Sequence, residues 1–213
     1  MPSKVALVIG VSYKTGGASI GRTTALSLLS AGYKVAVVGR SLNPEAAAKE
    51  GFFGVTADVD NHRNIQSVFK EVTEKLGAPS VLVYNAGLGG PVLSFFAATQ
   101  AFIAGNKALD GPKMVLYVGD IFNEQIIPGY LTLGLGKTGG AYLVQSGAAN
   151  PELQEEKDRF YYLDQRSPEG HPAYPPSLSG KAHASVVLKL MAEEKQNDPS
   201  MHLVLHLDEA RNG

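Results

Sequence analysis

The residues from Gly10 to Arg22 have the types and spacing to hold a pyrophosphate: Gly10-Val11-Ser12-Tyr13-Lys14-Thr15-Gly16-Gly17-Ala18-Ser19-Ile20-Gly21-Arg22. Glycines let the backbone come close to phosphate oxygens, and a helix start beyond them offers N–H groups and the positive end of its dipole. The turn follows an apolar run, Val5 to Ile9, and leads into the stripe Ile20, Thr24, Leu28 and Leu29, which ends at Gly32. A Gly-rich turn by itself can be an ordinary loop. Between a buried strand and an amphipathic helix it is the context a dinucleotide site requires. The second apolar run, Val35 to Val38, ends in Gly39-Arg40-Ser41. A site that selects NAD places an acid here to accept from the ribose hydroxyls. Arg40 instead offers a guanidinium to a 2′-phosphate, so NADP is the expected cofactor.

The elements that must position these residues are legible as apolar runs alternating with helical stripes. Val5 to Ile9, Val35 to Val38, Val81 to Tyr84 and Met114 to Val118 are continuous apolar runs, as strands covered on both faces require. Weaker strands are predicted at Phe52 to Ala57, Phe160 to Leu163 and His202 to Leu207. Ile65, Val68, Phe69, Val72 and Leu76 form a helical stripe with Asp60 or Asn61 as its cap and Gly77 as its stop. Val186, Val187, Leu190 and Met191 form another, opened by Ser179. This alternation predicts a doubly wound α/β fold of Rossmann type, three layers around a parallel sheet, as a single domain over residues 1–213.

Composition bounds the function. With 213 residues, 44% of them hydrophobic and 18% charged, the chain can build a sizeable core. Lys+Arg 19 against Asp+Glu 20 gives a formal charge of −1, without the basic excess of a nucleic-acid binder. Cys 0 excludes disulfides, thiolate metal sites and a cysteine nucleophile. The run Val5 to Ile9 after Met1-Pro2-Ser3-Lys4 is too short for a signal-peptide core or a membrane span, so a cytoplasmic protein without a membrane partner is expected. His171 and His183 lack metal-ligand spacing and are expected to be satisfied surface or loop histidines; no metal site is visible.

The chain resembles the short-chain dehydrogenase/reductases over nearly its whole length. The carriers are the Gly10 to Gly21 turn, Arg40, Asp58-Val59, and Tyr84-Asn85-Ala86-Gly87, the last being the most specific. The resemblance implies that Gly10, Ser12, Ser19, Ile20, Gly21, Arg40, Ser41, Asp58, Val59, Asn85, Ala86 and Gly87 line a cofactor cleft, with Asp58 at the adenine. It also makes the stretch from about Leu133 to Ala149 the catalytic helix, with Lys137 near its start binding the nicotinamide ribose. Arg159 to Arg166 then matches the sixth strand, Ser177 to Glu194 the last long helix, and Met201 to Leu207 the final strand.

The departures concern the chemistry. Ser19 stands where the family's middle phosphate-turn glycine falls, and the turn is longer. The family's Ser and Tyr positions hold Asp120 and Leu133. Tyr130 lies seven residues before Lys137, a Tyr-x6-Lys spacing similar to that of divergent enoyl-acyl-carrier-protein reductases. Seven residues are about two helical turns and about 10.5 Å of rise, so the phenol must lean in. Tyr130, Lys137 and Asp120 are therefore the candidate catalytic residues. Asp120 would oppose an oxyanion unless protonated, and its plainer role is a cap after the strand. The segment from Gly87 to Met114 is short for the family and predicts a trimmed crossover helix.

Two functions follow. One is an NADP(H)-dependent oxidoreductase that transfers hydride to a carbonyl or activated double bond of a small molecule. The other is a non-catalytic NADP(H)-binding sensor or partner subunit. Gly134, Gly136, Gly139 and Gly140 are costly inside a helix and predict a close backbone contact there, hence a homo-oligomer.

Overall fold

Apolar runs that are too continuous for a half-exposed strand become the inner strands of one parallel sheet. The computed structural model describes residues 4–13, 19–86, 92–173, 177–193, 196 and 202–206. The strands are β1 (Val5–Ile9), β2 (Lys34–Gly39), β3 (Phe53–Thr56), β4 (Val81–Tyr84), β5 (Lys113–Val118), β6 (Asp158–Arg166) and β7 (His202–His206). They lie in the order β3-β2-β1-β4-β5-β6-β7, and all six pairings are parallel. Every residue of β1, β4 and β5 is buried, as double-sided coverage demands.

The helices are α1 (Ile20–Ser30), α2 (Pro44–Lys49), α3 (Asn64–Leu76), α4 (Val92–Asn106), α5 (Leu131–Ala148), α6 (Pro151–Glu155) and α7 (Gly180–Ala192). Ser19 and Ser179 cap α1 and α7 by accepting from the backbone N–H of Arg22 and Ala182. The chain order reverses between β1 and β4, so the crevice at their carboxyl ends is the switch point where such sheets bind ligands.

Several expectations are corrected. Helix α3 is entered through Arg63, not Asp60 or Asn61; Asn61 acts one step earlier, accepting from the Arg63 N–H at 3.2 Å. The crossover helix α4 still has 15 residues, about four turns. β6 is longer than Phe160 to Leu163, because its polar ends, Asp158, Arg159, Asp164 and Gln165, are buried against partners and not in solvent. His183 is no surface residue: it is 1% exposed within α7, with Nδ1 2.8 Å from the Ser179 carbonyl oxygen. His171 is exposed in a loop as expected.

Candidate active site at the carboxyl ends of the strands

The cofactor side is built by backbone meeting backbone. Gly10 ends β1 with φ +94, and a Cβ there would fall 2.5 Å from the Asn85 carbonyl carbon and oxygen. A Cβ on Gly21 would fall 2.8 Å from the Gly10 carbonyl oxygen, so only glycine admits the first turn of α1 this close to the sheet. The Asn85 side-chain amide donates to that same carbonyl at 3.0 Å and ties β4 to the turn. Gly10 and Val11 both donate to the Val38 carbonyl at 2.9 Å. These contacts fit a dinucleotide: the cradle that side chains would fill is kept open at the positive end of α1. Ser12, Ile20 and Ala86 lie on its walls and are part-buried; residues 14–18 of the turn and Gly87 lie outside the described residues.

The turn is also held from outside by a cluster that the sequence pattern did not reveal. Arg22 grips the Glu50 carboxylate with two hydrogen bonds, 3.0 and 2.7 Å, and its guanidinium lies 5.5 Å from the Tyr13 ring centroid. The Tyr13 hydroxyl donates to the same carboxylate at 3.4 Å. Arg40, by contrast, is 73% exposed at its side chain and makes a 3.3 Å pair with Asp60. Such an exposed pair contributes about 0–1 kcal/mol and yields readily to a stronger anion. Ser41 and Asp58 are exposed, while Val59 is buried behind them. Asp58 accepts from the Asp60 N–H at 3.1 Å, which shapes the loop after β3.

The chemistry-bearing side is centred on Lys137. Its side chain is 10% exposed, and Nζ donates to the Val118 carbonyl at 3.0 Å, stands 3.6 Å from an Asp120 carboxylate oxygen and lies 5.1 Å from the Tyr117 ring centroid. Burial pulls the Lys137 ammonium below its ordinary pKa and pushes the Asp120 carboxyl above its own; the attraction between the two opposes both shifts. Asp120 does cap the turn after β5, accepting from the Phe122 N–H at 3.0 Å, but its other oxygen serves the lysine.

Tyr162 is the residue the sequence reading overlooked. Its hydroxyl donates to the Asp120 carbonyl at 2.7 Å and accepts from the Asp120 N–H at 3.1 Å. A Cβ on Gly119 would stand 2.0 Å from the Tyr162 ring, so this glycine is the space the ring occupies. The Gly-Asp pair at the end of an apolar strand was the available signal. Tyr84, Tyr117 and Tyr162 sit in register on neighbouring strands, with ring centroids 5.9 and 5.6 Å apart, and form the floor under Lys137.

The structure brings Lys137 and Asp120 together but leaves Tyr130 at the rim. Tyr130 is the N-cap of α5, 54% exposed, with its ring 5.2 Å from that of Phe122. Two glycines of α5 are accounted for within the chain. A Cβ on Gly139 would meet Val92 of α4 at 2.6 Å, and one on Gly140 would meet the Tyr117 ring at 2.8 Å. Those two serve packing within the chain.

The short chain dehydrogenase family profile matches residues 4–103. Over 233 aligned positions the chain is 28% identical to a short chain dehydrogenase/reductase, dmxR12, of Cryptosporiopsis, covering 93% of this chain and 90% of that protein. It is 37% identical to carbonyl reductase family member 4 of Xenopus tropicalis over 40% of this chain and 36% of that one. A short chain dehydrogenase from Mycobacterium smegmatis shares the fold with a TM-score of 0.76 at 20% identity, over 97% of this chain and 92% of that one. An actinorhodin polyketide ketoreductase variant solved with NADPH gives 0.75 at 18%, over 98% and 97%. The sheet order, the open glycine cradle and the buried lysine agree with this likeness to the short-chain dehydrogenase/reductases, whose family profile matches the first half of the chain and whose solved members share its fold.

Proposed function

We propose that the protein is an NADP(H)-dependent oxidoreductase acting on a carbonyl or activated double bond of a small molecule, as one dinucleotide-binding unit over residues 1–213 of the cytoplasm. The observation that carries this reading is the buried Lys137 ammonium held at the strand ends beside the Gly10–Gly21–Asn85 cradle. When bound, the reduced nicotinamide supplies hydride to the acceptor. Lys137 is assigned to the nicotinamide ribose, Arg40 and Ser41 to the 2′-phosphate, and Asp58 and Val59 to the adenine. Ser12, Ser19, Ile20 and Gly21 are assigned to the pyrophosphate, and Asn85, Ala86 and Gly87 to the cleft wall. For a neutral carbonyl, Tyr130 is assigned the proton donor on its seven-residue spacing from Lys137. Titration with NADPH and NADH, followed by a screen of aldehydes, ketones and activated double bonds for NADPH oxidation, tests the reading. Uptake of NADPH with turnover is expected; uptake of neither dinucleotide overturns it.

A second reading, a non-catalytic NADP(H) sensor or partner subunit, is favoured by one observation. The Lys137 ammonium is already engaged by Val118 and Asp120, while Tyr130 is turned onto Phe122. NADPH uptake without turnover on any acceptor selects it.

A further inference from the structure

We propose that the acceptor site selects a cationic nitrogen, a protonated imine or amine, over a neutral carbonyl, because the group it presents to the cleft is the Asp120 carboxylate. The inference rests on the dinucleotide-dependent function proposed above and names its substrate class.

The argument starts from which charge is accessible. Asp120 is 31% exposed at its side chain and Lys137 10%, so the carboxylate is the more accessible member of the pair. Further charged groups are coupled to this pair. Asp164, fully buried, acts on both members. Arg166 is gripped by Asp164 at 2.7 Å and by Glu124 at 2.8 Å. Among the described residues, the ion pairs around the site join Asp120 to Lys137, and Asp164 and Glu124 to Arg166. His183, which also faces Asp164, is buried and pushed below its ordinary pKa, which favours its neutral form. Tyr117 and Tyr162 are both raised by burial and stay protonated.

A carbonyl that takes hydride ends as an oxyanion, which needs donors or positive charge where the oxygen sits. Here the fixed carboxylate opposes that charge. A cationic nitrogen reverses the sign: Asp120 attracts it and holds the proton on nitrogen, raising the protonated fraction of an imine. The step balances without a protein proton donor. The reduced nicotinamide delivers two electrons as hydride to the imine carbon, and the C=N π pair becomes the nitrogen lone pair. The neutral amine then takes a proton from water, and the dinucleotide leaves oxidised.

The rigidity of Asp120 supports a binding role. Its backbone is held on both sides by the Tyr162 hydroxyl, and its second oxygen by the Phe122 N–H. The Tyr117 hydroxyl, buried beneath the lysine, has no hydrogen-bond partner among the described residues. It is therefore a polar group left over at the floor of the site.

The test uses two probes of one shape, tetrahydroisoquinolinium and tetralone, titrated by calorimetry into protein saturated with NADP+. The cation is expected to bind about tenfold more tightly or better, with the preference shrinking as salt rises. Asp120→Asn, which keeps an oxygen for Phe122, should abolish the preference. The wild-type comparison needs no variant, so a poorly folded Asn protein leaves the test intact. Tetralone binding as tightly as the cation, no binding of the cation, or a preference that survives Asp120→Asn overturns the proposal. A prior dinucleotide titration separates the failures: no NADP+ uptake removes the function and this inference together, whereas uptake without cation preference removes the inference alone.

Discussion

At Arg40 a single side chain is proposed to carry the cofactor choice. Its guanidinium is mostly exposed, and its one ion pair, to Asp60, is of the weak surface kind. A 2′-phosphate would replace that pair with charge-assisted hydrogen bonds. Arg40→Ala is therefore expected to weaken NADPH binding by about 1.5–3 kcal/mol and to leave NADH binding nearly unchanged; calorimetry with both cofactors checks it. Tyr130 makes the second prediction at this scale. Tyr130→Phe removes only the hydroxyl, so dinucleotide affinity should persist. Turnover on a neutral carbonyl should fall by about 10²–10⁴-fold, the contribution of a positioned general acid. Turnover on a cationic acceptor, which brings its own proton, should stay near the wild-type rate. Parallel steady-state assays on the two acceptors read the difference.

Helix α5 shows how glycines can look alike in sequence and differ in cause. Gly140 lies over the Tyr117 ring and Gly134 over little more than the Phe122 carbonyl, at 3.9 Å. Gly140→Ala should destabilise by about 1–3 kcal/mol through overpacking, despite the better helix propensity of alanine. Gly134→Ala meets no such clash and should stabilise by up to about 1 kcal/mol. Denaturant midpoints of the two variants check the contrast. The same reasoning fixes Gly119, whose missing side chain is the room that lets Tyr162 hold Asp120. An element therefore positions the site as much by where it lacks atoms as by where it has them.

For the whole molecule, a dimer is expected through α4 and α5. These neighbouring helices expose Leu93, Phe96, Leu131, Leu135 and Tyr142, which are 49% to 76% exposed. Exposed apolar groups at this density on packed helices favour association. Sedimentation at micromolar concentration should give a species larger than 22.5 kDa; a monomer there refutes the expectation. The opposite end of the sheet sets a pH dependence. Asp158 is 3% exposed, 3.9 Å from the buried Lys113 ammonium, and burial pushes its carboxyl up to about 6. An unfolded aspartate titrates near about 3.9, so between these values the folded state holds a proton the unfolded state has lost. Its contribution is full below the lower value and is lost as pH rises through about 6. Chemical denaturation from pH 4 to 7 should show that decline for the wild type, and Asp158→Asn should flatten it.

The amino-acid order alone determined the sheet and the glycine turn at its switch point. Val5 to Ile9, Gly10, Gly21 and Arg40 reveal themselves because their causes are local: apolar periodicity, a glycine in a left-handed turn, a charge at a strand end. Ser179 as the cap of α7 and Gly77 as the stop of α3 were legible for the same reason. Tertiary structure decided the rest. Asp120 becomes the partner of Lys137, and Tyr162 its clamp, only because β5 and β6 lie side by side and α5 packs across them. Gly139 and Gly140 acquire their reason from Val92 and Tyr117, residues more than twenty positions away. His183 and Asp158 are buried by elements that meet them through the fold, so their surroundings could not be read from neighbours in the chain. Local rules set which elements form and where they stop; which charges face one another in the cleft depends on contacts distant in sequence.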